Sequence, residues 1–204
     1  MAQKRVCSLW YVVLVEVAVA ALAALIVLWQ PGGAALYVAL RVAALTGFAL
    51  VYLAVLSSLF MRELVRKWGQ PFIKMHHTLS IVALSLVTLH PLGWAAYNLS
   101  ARVLLPDVSS LSAPNAQTGP FVWLALVFGL LAALLRKKVR AWRVVHWLNY
   151  LAFLMAARHA WMLGSNTQTL GMRIVIVFMA VSVMGAFVWK RIKMGKRPAK
   201  AAAR

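Results

Sequence analysis

The chain has 204 residues, of which 64% are hydrophobic and 12% are charged, and its net charge is +19. This charged fraction is about half that of a soluble globular domain, so most of the surface is expected to face lipid. The three acidic residues, Glu16, Glu63 and Asp107, leave little for mechanisms that need paired carboxylates. The single cysteine, Cys7, excludes an intramolecular disulfide and a CxxC site.

Six apolar segments are predicted to cross a membrane, and the first, of about 20 residues, matches the thickness of the hydrocarbon layer, about 30 Å. The predicted spans cover residues 9–29, 35–60, 76–96, 120–135, 144–163 and 172–189. The first segment contains Glu16 and is longer than the apolar region of a signal peptide, so a retained helix is predicted. The sequence therefore predicts an all-α, polytopic membrane protein built as a bundle of six transmembrane helices.

The spans and the polar segments between them divide the chain into three predicted parts. Residues 1–34 form an N-terminal tail with the first span, residues 35–189 form the main membrane domain, and residues 190–204 form a basic cytoplasmic tail. Residues 61–74 are predicted to be a basic loop, and residues 97–119 the longest loop.

The positive charges predict the orientation of the bundle. Six spans place both termini on one side, together with 18 of the 22 lysines and arginines. By the positive-inside rule this side is the cytoplasm, so the protein is predicted to lie in the inner or plasma membrane with both termini cytoplasmic. The basic residues occupy short loops next to spans, and contact with anionic lipid explains them without nucleic acid as a partner.

All five histidines lie in the third and fifth predicted spans. His76 and His90 are 14 residues apart in one span, and His146 and His159 are 13 apart in the other. Because both spans run in the same direction, one imidazole from each is available at two depths about 21 Å apart. A step of 13 residues turns His159 away from the face of His146, which an irregular helix or an approach from different flanks would accommodate. Spacing does not choose between His76 and the adjacent His77.

Two histidine pairs at two depths suit two stacked haems better than one zinc ion, whose ligands all lie about 2 Å from the metal. The predicted cofactors are two haem b, because no CxxCH attachment motif is present. The iron ligands would be His76, His90, His146 and His159. Haem propionates need cationic partners, and the candidates near the outer level are Arg41, Arg158 and Arg173.

Several motifs within residues 35–189 resemble the ferric reductase-like transmembrane domain, the family of ferric reductases, NADPH oxidases and the haem-binding subunit of the periplasmic methionine sulfoxide reductase system. The resemblance rests on the segments RVAALTG at 41–47, HHTLS at 76–80 followed by His90, and WRVVHWLNY at 142–150 followed by His159. It assigns the inner ligand to His76 and departs from the family pattern at Ser80, where glycine is usual.

The resemblance implies electron transfer from a cytoplasmic donor, such as a flavoprotein reductase, or from a quinol, to an external acceptor. This chain has no flavin or nicotinamide motif, so its status as an enzyme in its own right stays open. One alternative is a quinol-oxidising membrane subunit of a periplasmic reductase of the methionine sulfoxide type, with a periplasmic acceptor protein. A further alternative is a haem-free transporter or scaffold whose histidines pair with polar groups.

Overall fold

The computed structural model describes residues 2–30, 32–69, 71–106 and 118–195, which form seven α-helices and no strand. The helices are α1 (Ala2–Trp29), α2 (Ala35–Leu59), α3 (Met61–Trp68), α4 (Pro71–Tyr97), α5 (Thr118–Leu134), α6 (Trp142–Leu163) and α7 (Leu170–Gly195). Short 3-10 helices lie at Ala101–Leu104 and Ser165–Gln168. The prediction of an all-α fold is confirmed.

Four of these helices are long and apolar enough to cross a membrane. The spans are Tyr11–Trp29, Ala35–Leu59, Phe72–Tyr97 and Leu170–Lys193. The fifth predicted span corresponds to α6, which carries two arginines and two histidines and is not among the four. The fourth corresponds to α5, which is apolar but has 17 residues. The described residues therefore support a membrane protein, and the predicted number of six spans depends on α5 and α6.

The segment predicted as a basic loop, residues 61–74, is mostly helical instead. Its first part forms α3, which ends at Gly69 with a φ of 86° that favours glycine. The next helix, α4, begins at Pro71, five residues before the predicted start at His76. Proline suits the first turn of a helix because the N–H it lacks has no partner there. His76 consequently lies inside α4 rather than at its beginning.

The ends of the chain also differ from the predicted boundaries. α1 begins at Ala2 rather than at residue 9, and α7 extends to Gly195 rather than ending at residue 189. The last part of the predicted tail, residues 196–204, and the middle of the polar loop, residues 107–117, lie outside the described residues. The division into residues 1–34, 35–189 and 190–204 therefore stays a prediction.

The core of the bundle forms around α2. The most apolar window of α2 is 39% buried, against 11% for those of α4 and α7, so α2 is the most enclosed of the four candidate spans. α2 packs chiefly against α4, while α5 packs chiefly against α6. Phe153 of α6 is fully buried between these groups, and its ring stacks on Phe48 at 5.4 Å. Residues of α2, α4, α5, α6 and α7 thus meet in one core, and this arrangement positions the histidines.

The outside of the bundle is apolar as well. Large aliphatic and aromatic side chains are exposed along α1 and α7, among them Leu14, Leu25, Ile174 and Phe178. Contiguous exposed apolar surface of this kind is typical of contact with lipid.

Candidate functional site

His76 of α4 and His146 of α6 face the same cleft between α2, α4, α5 and α6. The two rings lie close enough for charges on them to repel each other. The cleft encloses about 550 Å³ of atom-free space, including its open side. Its lining is mostly aliphatic, from Val51, Ala54, Val55, Ala83, Leu84, Leu126 and Leu130. We call this arrangement the inner pair, because it lies at the end of the bundle that is predicted to face the cytoplasm.

Neighbouring helices contact the Nδ1 atoms of the inner pair. Nδ1 of His76 lies 3.4 Å from the Ser57 hydroxyl, and Nδ1 of His146 lies 3.2 Å from the Gly129 carbonyl oxygen. The Asn149 amide nitrogen is also 3.2 Å from Nδ1 of His146. Each Nδ1 therefore has a polar neighbour, and a second ring nitrogen, Nε2, stays available for a ligand.

The structure distinguishes His76 from His77. His76 lines the cleft, whereas His77 is exposed and is not part of the lining. The two rings are tilted at 54° with centroids 6.1 Å apart, so they point in different directions.

His90 of α4 and His159 of α6 form a second pair near the opposite ends of the same helices. Their rings also lie close enough to interact electrostatically. Nδ1 of His159 is 3.4 Å from the Thr118 hydroxyl, whereas Nδ1 of His90 is buried and has no hydrogen-bond partner. We call this arrangement the outer pair.

The pairing shows how α4 and α6 are related. The N-terminal histidines of the two helices meet at one level and their C-terminal histidines at the other. The helices therefore run in the same direction, as predicted. They make little direct contact with each other. The cleft that His76 and His146 line lies between them.

Two glycines of α5 lie beside the two histidines of α6. A Cβ at Gly119 would come within 3.1 Å of Cε1 of His159, and one at Gly129 would overlap the amide of Asn149. Because α5 approaches α6 closely at both glycines, His146 and His159 both contact α5 despite the step of 13 residues.

The three arginines predicted as propionate partners have different surroundings. Arg41 donates hydrogen bonds to Asn166 Oδ1 at 2.8 Å, to the Gln30 carbonyl at 3.1 Å and to the Gly32 carbonyl at 3.3 Å. These bonds connect α2 to the turns before α2 and before α7. Arg41 therefore has a structural role that the sequence did not suggest.

Arg173 and Arg158 are not held in this way. Arg173 donates to Gln168 at 2.9 Å and lies 4.8 Å above the Trp161 ring, beside an apolar groove on α7. Arg158 is exposed. Contact of Arg41, Arg158 or Arg173 with haem propionates stays a prediction.

Sequence reasoning also missed several polar residues around the inner pair. The Ser58 hydroxyl lies 2.9 Å from the Tyr150 hydroxyl, and both residues line the cleft. Adjacent serines at the end of an apolar span are a signal of such a site, because polar groups inside a bilayer need partners. Among the described residues, no group of three or more His, Cys, Asp or Glu side chains could hold a metal ion. The candidate site therefore consists of two pairs rather than one cluster.

Paired histidines at two levels of an all-helical membrane protein are typical of membrane electron carriers that hold haem. The sequence matches the family described as ferric reductase like transmembrane component over residues 40–157, more than half of its length. The chain belongs to this family, which indicates transmembrane electron transfer, and such domains generally bind haem. The match includes His76, His90 and His146 and ends two residues before His159. No curated protein and no solved structure matches the chain.

Proposed function

We propose that the protein is a six-span b-type cytochrome that carries electrons across the membrane through two haems. One haem would be held by His76 and His146, and the other by His90 and His159. The observation that supports this most is the meeting of the histidines in two pairs. The pairs are separated by about 21 Å along α4, so each lies nearer to one surface of the membrane.

The inner pair has the features that a bis-histidine haem site needs. A histidine that binds a metal usually donates its other ring N–H to a carbonyl, carboxylate or water, which fixes the ring. His146 has the Gly129 carbonyl in this position, and His76 has the Ser57 hydroxyl. The aliphatic lining of the cleft suits a porphyrin, whose faces are apolar.

The outer pair supports a haem by a different feature. Nδ1 of His90 is buried without a hydrogen-bond partner. A buried polar atom left in this state costs about 1–3 kcal/mol. Such a cost suggests that this nitrogen has a further role, and a ligand bond from iron to Nδ1 of His90 would supply the missing partner.

The residues of the chain then have three tasks. The four imidazoles would hold the iron, His76 with His146 in one haem and His90 with His159 in the other. The aliphatic side chains exclude water, and the Nδ1 partners orient the rings. The bound haem supplies the change between ferric and ferrous iron, which transfers one electron at a time.

We propose that the termini and the inner pair face the cytoplasm, in the inner or plasma membrane. The end of α7 near the inner pair carries Lys190, Arg191 and Lys193, which would attract an acidic donor. The donor is a flavoprotein reductase of the cytoplasm or a quinol of the bilayer. The acceptor lies outside and is a small oxidant or a periplasmic protein.

The first test is a visible spectrum of the purified, dithionite-reduced protein with a haem-to-protein ratio. Two haems per chain and the α-band of a b-type cytochrome are expected. One haem per chain would contradict the two-haem proposal and favour a quinol-oxidising subunit of the sulfoxide reductase type. The absence of a Soret band after haem reconstitution would contradict haem binding and favour a transporter or scaffold.

A further inference from the structure

Two groups contact one nitrogen of the inner pair, Nδ1 of His146. Nδ1 of His146 is 3.2 Å from the Gly129 carbonyl oxygen of α5 and 3.2 Å from the Asn149 amide nitrogen, one turn further along α6. The amide oxygen of Asn149 is buried and has no hydrogen-bond partner. Asn149 also lines the cleft beside His146. Nδ1 of His146 therefore has two polar neighbours at 3.2 Å, whereas Nδ1 of His76 has one, the Ser57 hydroxyl at 3.4 Å.

These contacts conflict unless the Asn149 amide is reversed. A carbonyl oxygen only accepts, so contact with Gly129 requires a proton on Nδ1 of His146. An amide nitrogen only donates, so contact with Asn149 requires that the same Nδ1 has none. The oxygen and nitrogen of a side-chain amide are assigned by their hydrogen bonds. Reversing the amide places its unpartnered oxygen at Nδ1, and both neighbours then accept from one N–H.

We infer that Asn149 and the Gly129 carbonyl are positioning groups that hold the proton of His146 on Nδ1 and leave the lone pair of Nε2 for iron. This inference rests on the proposed haem. Acceptors at Nδ1 increase the electron donation of an imidazole to its metal. Asn149 and the Gly129 carbonyl would therefore lower the midpoint potential of the inner haem and leave that of the outer haem unchanged. Gly129 is required at its position because a Cβ there would overlap the Asn149 amide.

The test compares two substitutions of similar size, Asn149→Asp and Asn149→Leu, in redox titrations of the purified holoprotein. Aspartate places a stronger acceptor at Nδ1 and is expected to lower the midpoint potential of one haem and leave the other unchanged. Leucine removes the acceptor and is expected to raise the same potential. For a one-electron couple, a tenfold change in the equilibrium constant between ferric and ferrous haem shifts the midpoint potential by about 59 mV.

Asn98→Asp is the matched control, because it makes the same chemical change at the outer end of α4, where the amide donates to the Trp94 carbonyl. It is expected to leave the inner potential unchanged. If Asn149→Leu loses haem, Asn149→Asp alone decides the question, and a potential that is unchanged or raised overturns the inference. If the wild-type protein binds no haem, the proposed function fails, whereas normal haem content with unshifted potentials overturns only the role of Asn149.

Discussion

The two histidine pairs use the same two helices but differ in how their rings are held. In the inner pair, both Nδ1 atoms have polar neighbours, from Ser57 for His76 and from Gly129 and Asn149 for His146. In the outer pair, His159 has the Thr118 hydroxyl at 3.4 Å and His90 has no partner at Nδ1. Both inner rings thus have a polar neighbour at Nδ1, whereas in the outer pair only His159 has one, and His90 forms a hydrogen bond with the Leu40 backbone instead.

The helix backbone near the outer pair is irregular and approaches α2 closely. Pro91 follows His90 inside α4 and removes one hydrogen bond of the helix, which membrane helices tolerate when neighbours compensate. One turn earlier in α4, Val87 packs on Gly47 of α2, where a Cβ would lie 3.0 Å from the valine side chain. Close backbone contact therefore helps to position this part of α4, together with the hydrogen bond that Trp123 donates to the Thr88 hydroxyl at 3.0 Å. We expect substitutions that change volume to affect the outer pair most, and substitutions that change polarity to affect the inner pair most.

The largest effect is expected from removing the histidines themselves. His76→Ala or His146→Ala should abolish the inner haem, and His90→Ala or His159→Ala the outer haem, because each iron would lose an axial ligand. Haem content should fall from about two per chain to about one in each variant. The midpoint potential of the remaining haem should differ between the inner-pair variants and the outer-pair variants. Pyridine haemochrome assays and redox titration measure both quantities.

His77→Ala is the control for this series. His77 is exposed and outside the cleft, so its substitution should leave both haems and both potentials unchanged. Loss of the inner haem in His77→Ala, with the haem retained in His76→Ala, would contradict the assignment of the inner ligand to His76.

The sequence predicted the parts of this site that depend on spacing along one helix. Apolar runs predicted the helices, and equal depths of His76 with His146 and of His90 with His159 predicted the pairs that the structure brings together. Contacts between distant segments were not predictable. Asn166, the main partner of Arg41, lies 125 residues away in the sequence. α3 was missed because its charged residues suggested a loop, although a charged segment next to a span also forms an amphipathic helix.

The next largest effect is expected at Gly119, which tests the role of packing in the outer pair. Gly119→Val places a branched side chain where a single Cβ already comes within 3.1 Å of His159. The ring of His159 should be displaced, so the outer haem should be lost or its potential should change, while the inner haem stays. The haem content and the two midpoint potentials report this separately for each pair.

Gly185→Val is the matched control, since a Cβ at Gly185 meets nothing within 4 Å. It should leave both haems in place. An equal loss of both haems in Gly119→Val would show general misfolding rather than a local effect on His159, and would contradict the packing explanation.

A smaller effect, on stability, is expected from Arg41. Arg41→Gln removes hydrogen bonds that join α2 to the turns before α2 and before α7, and bonds to a charged group contribute about 1.5–3 kcal/mol each. Thermal unfolding in detergent should shift to lower temperature while the haem content is unchanged. Arg158→Gln, at an exposed position, should leave the unfolding temperature unchanged. Loss of the outer haem in Arg41→Gln, with unchanged unfolding, would instead support the contact with propionates that the sequence suggested.

The smallest effect is expected from an ion pair at the inner end. Lys190 of α7 donates a hydrogen bond to Glu63 of α3, and this bond, with the positive charges of Lys190 and Lys193, holds the pKa of the Glu63 carboxyl below its usual value of 4.5. A carboxyl with a lowered pKa stabilises the folded state above its unfolded pKa, and this stabilisation is lost as the pH falls through the lower, folded value.

Because Glu63 is 47% exposed, the pair should contribute less than about 1 kcal/mol. Glu63→Gln should therefore unfold at a slightly lower temperature than wild type at pH 7, and the difference should shrink as the pH falls through the lowered pKa of Glu63 and as salt is added. A difference that responds neither to acid nor to salt would show that the substitution acts through packing rather than through charge, and the inner end would then resemble the outer end in depending on shape.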